Sequence, residues 1–257
     1  MSTHHSASSY RIYPAYCFRA SPTYNAWVKL TAADVQALRS EPDFQSQHIY
    51  FHLNHPIRYV RLVGVVVAID DINSKYTVLT IDDASGETIE VKIVRRTPNM
   101  YNPVQSPSNT TIDNVNVISK LGVFEVMVDH KPLDIGTVIK AKCTISEFRG
   151  LKQLDMKRVW AVSDTNEEAQ AWAETATFKQ EVLVVPWHLS STQHKRIMKD
   201  IKTEKKKNQE YEKLKLEHAI KRKEQKKARE EYLANREVKH ESRRRKEEVM
   251  LNAGALK

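Results

Sequence analysis

Residues 58–70 read Arg-Tyr-Val-Arg-Leu-Val-Gly-Val-Val-Val-Ala-Ile-Asp, a β-branched run with one glycine, Gly64, in its middle. It is roughly twice the usual strand length of about six residues. A glycine inside so long a strand leaves no side chain to obstruct bending. The pattern predicts a strand that curls and pairs on both sides of a small barrel. A second run fills residues 76–82. A third, residues 88–94, alternates Ile89, Val91 and Ile93 with Thr88, Glu90 and Lys92, the period of a half-buried strand. The short link between them contains Gly86 and reads as a hairpin.

Further along, Pro98, Pro103 and Pro107 make residues 97–111 a loop, and residues 115–121 read as a short helix. Residues 123–128 look like a strand. In residues 136–145, Ile139, Ala141, Cys143 and Ile145 alternate with Lys140, Lys142 and Thr144. A tight turn follows at 147–152, then a closing strand at 153–162. Five strands with an insertion between the third and fourth, commonly holding a helix, match an OB-fold barrel, which often binds single strands. The expected class is mainly β with flanking helices.

The flanks are less regular. Residues 1–9 are His/Ser-rich and read as disordered. Residues 10–28 are aromatic and broken by Pro14 and Pro22. They read as an extended arm on the barrel, its rings packed rather than free to stack on bases. Thr31 with Asp34 resembles a capping box for a helix over 32–39, ended by Pro42, and 48–53 is a short alternating stretch. Past the barrel, 163–181 reads as a helix capped by Thr165 and Glu168, with Ala169, Trp172, Ala173 and Ala176 striped at i, i+3, i+4, i+7. Residues 182–186 read as extended and close a domain spanning 10–186. From 187 to 253 there is neither Pro nor Gly, which predicts one long helix in the tail, 187–257. Its apolar residues sustain no heptad, so a lone charged helix is expected, with Glu217–Lys221 and Glu241–Arg245 as i,i+4 pairs.

Charge sharpens this picture. The chain has 257 residues and a net charge of +9. Residues 190–257 hold 22 Lys and Arg against 12 Asp and Glu, while residues 1–189 hold 19 against 20. The excess lies in the tail, which points to nucleic acid or an acidic partner, or to a helix whose charge only keeps it solvated. Two distant cysteines, Cys17 and Cys143, argue against a disulfide framework or zinc cluster. The longest apolar run, 62–69, is short of the roughly 20 residues that cross a bilayer, so no membrane role is expected.

Candidate chemistry is sparse. In such barrels strands two and three, with the one-to-two and four-to-five loops, form the ligand groove. Phe148, Arg149 and Lys152 on the four-to-five loop supply an aromatic for a base and cations for phosphate. Lys75, Tyr76, Lys92, Lys140 and Lys142 extend that track, or form an ordinary solvated face. Asp70, Asp71, Asp82 and Asp83 sit at turns, where Asp is favoured for backbone reasons; no metal is expected. His52 and His55 lack a second pair of ligands. No phosphate loop, HExxH or nucleophile elbow is present, so no cofactor and no enzyme are expected. The Ala169, Trp172, Ala173, Ala176 stripe either caps the barrel end or faces a partner.

Residues 27–35, 55–67 ("HPIR", then "GVVV"), 76–86 ("IDDASG") and 136–150 resemble the Stn subunit of the CST telomere-capping complex, fungal type, over about residues 13–186. The middle subunit of replication protein A is a more distant likeness. The resemblance implies an OB-fold that heterodimerises with a small OB protein, the Ten subunit, through the helix after the barrel, hence through the stripe. It further implies binding of single-stranded telomeric DNA, protection of chromosome ends in the nucleus, and dealings with the large CST subunit and DNA polymerase α–primase. A general single-strand-binding subunit in replication is the alternative. Two departures stand out: only a charged helix follows where some members carry winged-helix domains, and Cys143 replaces a glycine common in the fourth strand.

Overall fold

The computed structural model describes residues 10–73, 75–96, 108–120 and 123–254. It divides into two compact units, residues 1–193 and 194–257.

In chain order the first unit holds β1 (Val28–Lys29), α1 (Ala32–Gln36), β2 (Arg39–Ser40), β3 (Tyr50–His52), β4 (His55–Ile57), β5 (Tyr59–Asn73), β6 (Tyr76–Asp82) and β7 (Thr88–Val94). Then come β8 (Val115–Lys120), β9 (Val123–Val128), β10 (Lys131–Pro132), β11 (Val138–Phe148), β12 (Leu151–Ala161) and α2 (Thr165–Phe178). Strands β5, β6, β7, β12 and β11 close into the five-stranded OB-fold barrel that the strand pattern predicted. β5 makes the closure possible because it pairs with β11 along its first half and β6 along its second. The change of partner falls at Gly64, where an added Cβ would stand 2.5 Å from the Asp82 carbonyl oxygen and 2.7 Å from Ile81 Cγ2. The bend therefore needs a residue without a side chain. Inward residues of all five strands build one core, among them Leu62, Leu79, Ile81, Ile93, Ile139, Cys143 and Val159. The curl of β11 at Cys143 comes from a bulge in its pairing with β12 between Lys142 and Cys143, which stands in for the missing glycine.

Several expectations are corrected. Residues 115–120 are a strand, not a helix: Val115 and Val117 are buried, in a period of two, and the segment pairs along its length with β9. The insertion thus holds a three-stranded antiparallel sheet, β10–β9–β8, where a helix was expected. The arm is folded rather than extended. Ala15–Ala20 is a 3₁₀ turn that drives Phe18 into a second, aromatic cluster with Ile49 and Phe51, flanked by Tyr24 and Phe44. Helix α1 carries the predicted capping box but stops at Gln36, because Arg39–Ser40 leaves to pair with Tyr50–Phe51. The four-to-five turn is only Arg149–Gly150, both left-handed. α2 is capped by Asp164, which accepts from the Glu167 amide, not by Thr165. Residues 182–186 are not an extended segment, since Lys179–Leu183 forms a π turn that buries Leu183. The predicted disordered start and most of the 97–111 loop lie outside the described residues.

Beyond Pro186 the chain stays on this unit. The Trp187 amide donates to Asn54 Oδ1 (2.7 Å), and the Leu189 amide donates to the Tyr13 hydroxyl. The second unit is helical: α3 (Ser191–Gly254) has exposed residues almost throughout, with the Glu241–Arg245 pair at 3.4 Å. Its apolar side chains, such as Leu214, Ile220 and Leu233, are exposed.

Candidate nucleic-acid and partner interfaces

The predicted groove residues fall into three groups. On β6 and β7, Lys92 Nζ sits 5.6 Å from the Tyr76 ring centroid and 2.8 Å from an Asp155 carboxylate oxygen. Lys75 stands exposed at the turn beside them. At the β11–β12 tip, Arg149 lies 5.1 Å over the exposed Phe148 ring, and Lys152 lies 5.5 Å over Tyr50. The two-residue turn is what thrusts Phe148 and Arg149 outward together.

Lys140 and Lys142 belong elsewhere. Lys140 Nζ pairs with Glu167 of α2 at 2.8 Å. Lys142 Nζ is held between two indoles, 5.6 Å from Trp27 and 5.4 Å from Trp160. The register places Lys142 opposite Arg61 on one side and Arg158 on the other, and Thr144 opposite Tyr59 and Asp155. Tyr59, Arg58 and Trp160, which the sequence reading did not single out, and Trp27, which it expected to be packed with the arm, therefore lie together with Lys142. Period-two counting from buried Val159 places Trp160 outward, a signal available in the sequence.

Asp70 and Asp71 lie inside β5, opposite Val78 and Thr77, and not at a turn as expected; the carboxylates of Asp71, Asp82 and Asp83 are occupied. Asp83 Oδ2 accepts from the Ala32 amide at 2.8 Å, and Asp82 Oδ1 from the Ala84 amide. Asp71 pairs with Arg95. Among the described residues no group of three His, Cys, Asp or Glu is placed to hold a metal ion, and no helix is long and apolar enough to cross a membrane.

α2 docks on the barrel by a mixed side, in which ion pairs flank buried Ala171 and core-packed Phe178. Arg61, its side chain only 10% exposed, reaches Glu174 at 2.5 Å and the Ala171 carbonyl at 3.2 Å; Lys29 also pairs with Glu174. The hydrogen bond from Arg61 first, then that from Lys29, outweighs desolvation and holds the Glu174 carboxyl below its usual range. Lys140 does the same for Glu167. Ala171 is buried, and Phe178 and Val182 pack on the core. The stripe is exposed: Ala169, Trp172, Ala173 and Ala176 all reach solvent, Trp172 at 47%. At the edge nearest the barrel, Trp172 and Ala176 rim an open groove of about 280 Å³ with Leu30, Val63, Asp83 and Lys179.

Among known proteins, the chain is 26% identical over 159 residues to Protein stn1 of Schizosaccharomyces pombe, covering 62% of this chain and 41% of that one. It is 24% identical over 179 residues to CST complex subunit STN1 of Bos taurus, covering 68% and 47%. It thus spans less than half the length of these relatives. Among solved structures it is similar to S. pombe Stn1 with Ten1 (TM-score 0.44, 21% identity, 62% of this chain and 94% of that chain). It is also similar to the yeast Stn1 and Ten1 structure (TM-score 0.49, 15% identity, 73% and 90%). The family model described as telomere regulation protein Stn1 matches residues 9–242, and with nearly the whole chain inside that match, the chain belongs to the Stn1 family.

Proposed function

We propose that this chain is a non-catalytic telomere end-protection subunit. It binds single-stranded telomeric DNA through its barrel, pairs with a small OB-fold protein, the Ten subunit, within the CST complex, and acts in the nucleus at chromosome ends in contact with the large CST subunit and DNA polymerase α–primase. The family match over residues 9–242 carries this reading. Two features support it. α2 is already docked by one side, so its bare opposite side, with a large aromatic among alanines, offers an anchor and close approach to a second helix. The tip and the β6–β7 face offer rings and cations together, as single strands require.

The test is co-expression with the Ten subunit, followed by gel shifts with G-rich telomeric and mixed-sequence strands. Trp172→Glu is expected to release Ten, and Phe148→Ala with Arg149→Gln to weaken the telomeric complex. Equal affinity for both strands would favour a general replication role. Ten retained by Trp172→Glu would remove the seam from the reading.

A further inference from the structure

On the outer face of β5, β11 and β12 and the segments leading into β1 and β5, rings and cations run in contact one after another. Trp160 is followed by Lys142 at 5.4 Å, Trp27 at 5.6 Å, Tyr59 at 5.0 Å between centroids, Arg58 at 5.1 Å and Tyr24 at 5.1 Å. Trp160 is 37% exposed. Beside the ladder lies an open groove of about 630 Å³, lined also by Lys29, Arg61 and Lys140.

Charge distinguishes the two sides of this face. Lys29 and Arg61 share Glu174, and Lys140 pairs with Glu167. Lys142, Arg58 and the exposed Lys157 and Arg158 of β12 pair with no carboxylate among the described residues. A row of uncompensated cations calls for a polyanion. Rings set between them call for a polyanion with flat apolar faces of its own. A protein surface would instead find scattered rings with little contiguous apolar area to bury.

We propose that this ladder is a second track for single-stranded nucleic acid, separate from the Phe148–Arg149 tip. Bases stack on Trp160 and Trp27, and backbone phosphates lie against Lys142, Arg158 and Arg58. The cations are held in place by the rings before any ligand arrives, so less side-chain ordering remains to be done on binding. The track connects to the Tyr76–Lys92 pair across the sheet, since Lys92 is paired with Asp155, which stands opposite Thr144, which stands opposite Tyr59. The inference rests on the proposed reading that this barrel handles single strands, and it adds where a longer strand runs.

Fluorescence anisotropy of the full chain with labelled oligothymidylates, short and long, tests it. Two variants are compared with wild type: Trp160→Ala with Lys142→Gln on the ladder, and Phe148→Ala with Arg149→Gln at the tip. The ladder variant is expected to lose about tenfold in affinity for the long strand, the loss of one stacked base, and to flatten the salt slope by about 0.7 for the one phosphate contact that Lys142 no longer makes. 4-Thiothymidine crosslinks in the wild-type protein should map to Trp27 or Trp160, a readout that does not depend on the variant folding. Unchanged affinity in the ladder variant, with crosslinks confined to Phe148, overturns the second track and leaves the proposed function standing. A wild-type chain that binds no single strand overturns both. A ladder variant that keeps DNA but loses Ten marks the face as a protein-binding surface and overturns the track.

Discussion

Single residues carry two consequences that can be measured. Gly64 is fixed by close approach: a methyl there meets the Asp82 backbone at 2.5 Å. Gly64→Ala should lower stability by about 1–3 kcal/mol, the usual cost of overpacking, read from the urea midpoint. His55 is the second. Its Nε2 lies 2.9 Å from the Val185 carbonyl, which can only accept, so Nε2 carries the proton. Nδ1 is buried without a partner. Burial, partly offset by that hydrogen bond, pushes the ring below the usual histidine range, and burial does the same to His52 opposite it. A folded pKa below the unfolded one means that protons favour the unfolded chain. The stabilisation is complete above about pH 6.5 and is lost as pH falls below it. His55→Gln, which keeps a donor and cannot titrate, should flatten that decline in urea midpoints measured across the range. Sequence reading located Gly64 as the bend and set His55 aside as a metal ligand. It could not see the Asp82 carbonyl or Val185, which come from distant strands and turns.

At the scale of elements, α2 explains both a success and a failure of pattern reading. The stripe was legible from its spacing. Which side meets the barrel was not, because docking runs through Glu167 and Glu174 to Lys140, Lys29 and Arg61, and hydrophobic periodicity is blind to such ion pairs. Trp172→Glu, on the open side, should leave the thermal midpoint nearly unchanged, as surface substitutions do, whereas Leu183→Ala should cost about 2–5 kcal/mol. The insertion failed for a related reason. Val115 to Lys120 is ambiguous alone and becomes a strand only through its partner, β9. Barrel strands β6 and β7 were legible to the residue because period two and a hairpin turn reinforce each other there.

For the whole molecule, the end of the folded unit and the charge distribution make a joint prediction. A chain cut after Gln193 keeps the Trp187–Asn54 and Leu189–Tyr13 hydrogen bonds; one cut after Pro186 has neither. The first should melt like the full chain and the second at a lower temperature. If the tail touches DNA, the Gln193 truncation should also reduce the salt slope, by about 0.7 for each phosphate the tail no longer neutralises. A slope identical to that of the full chain would confine binding to the barrel. The long helix itself was legible, since 187–253 lacks every common helix breaker, but it starts at Ser191, because residues 187–190 run non-helically along the folded unit, held by Asn54 and Tyr13.

The cylinder is not equally strong all round. β7 meets β12 in parallel through only two residue pairs, Leu154 with Val91 and Asp155 with Lys92, while its other seams run antiparallel over longer registers. That short closure is the place where the barrel should breathe first, its amides trading hydrogen for deuterium ahead of those in β5. Because Lys92 and Asp155 also clasp each other across it on the outer face, a strand drawing Lys92 toward its phosphates would loosen the latch. Occupancy would then be written into the exchange rate of two short segments.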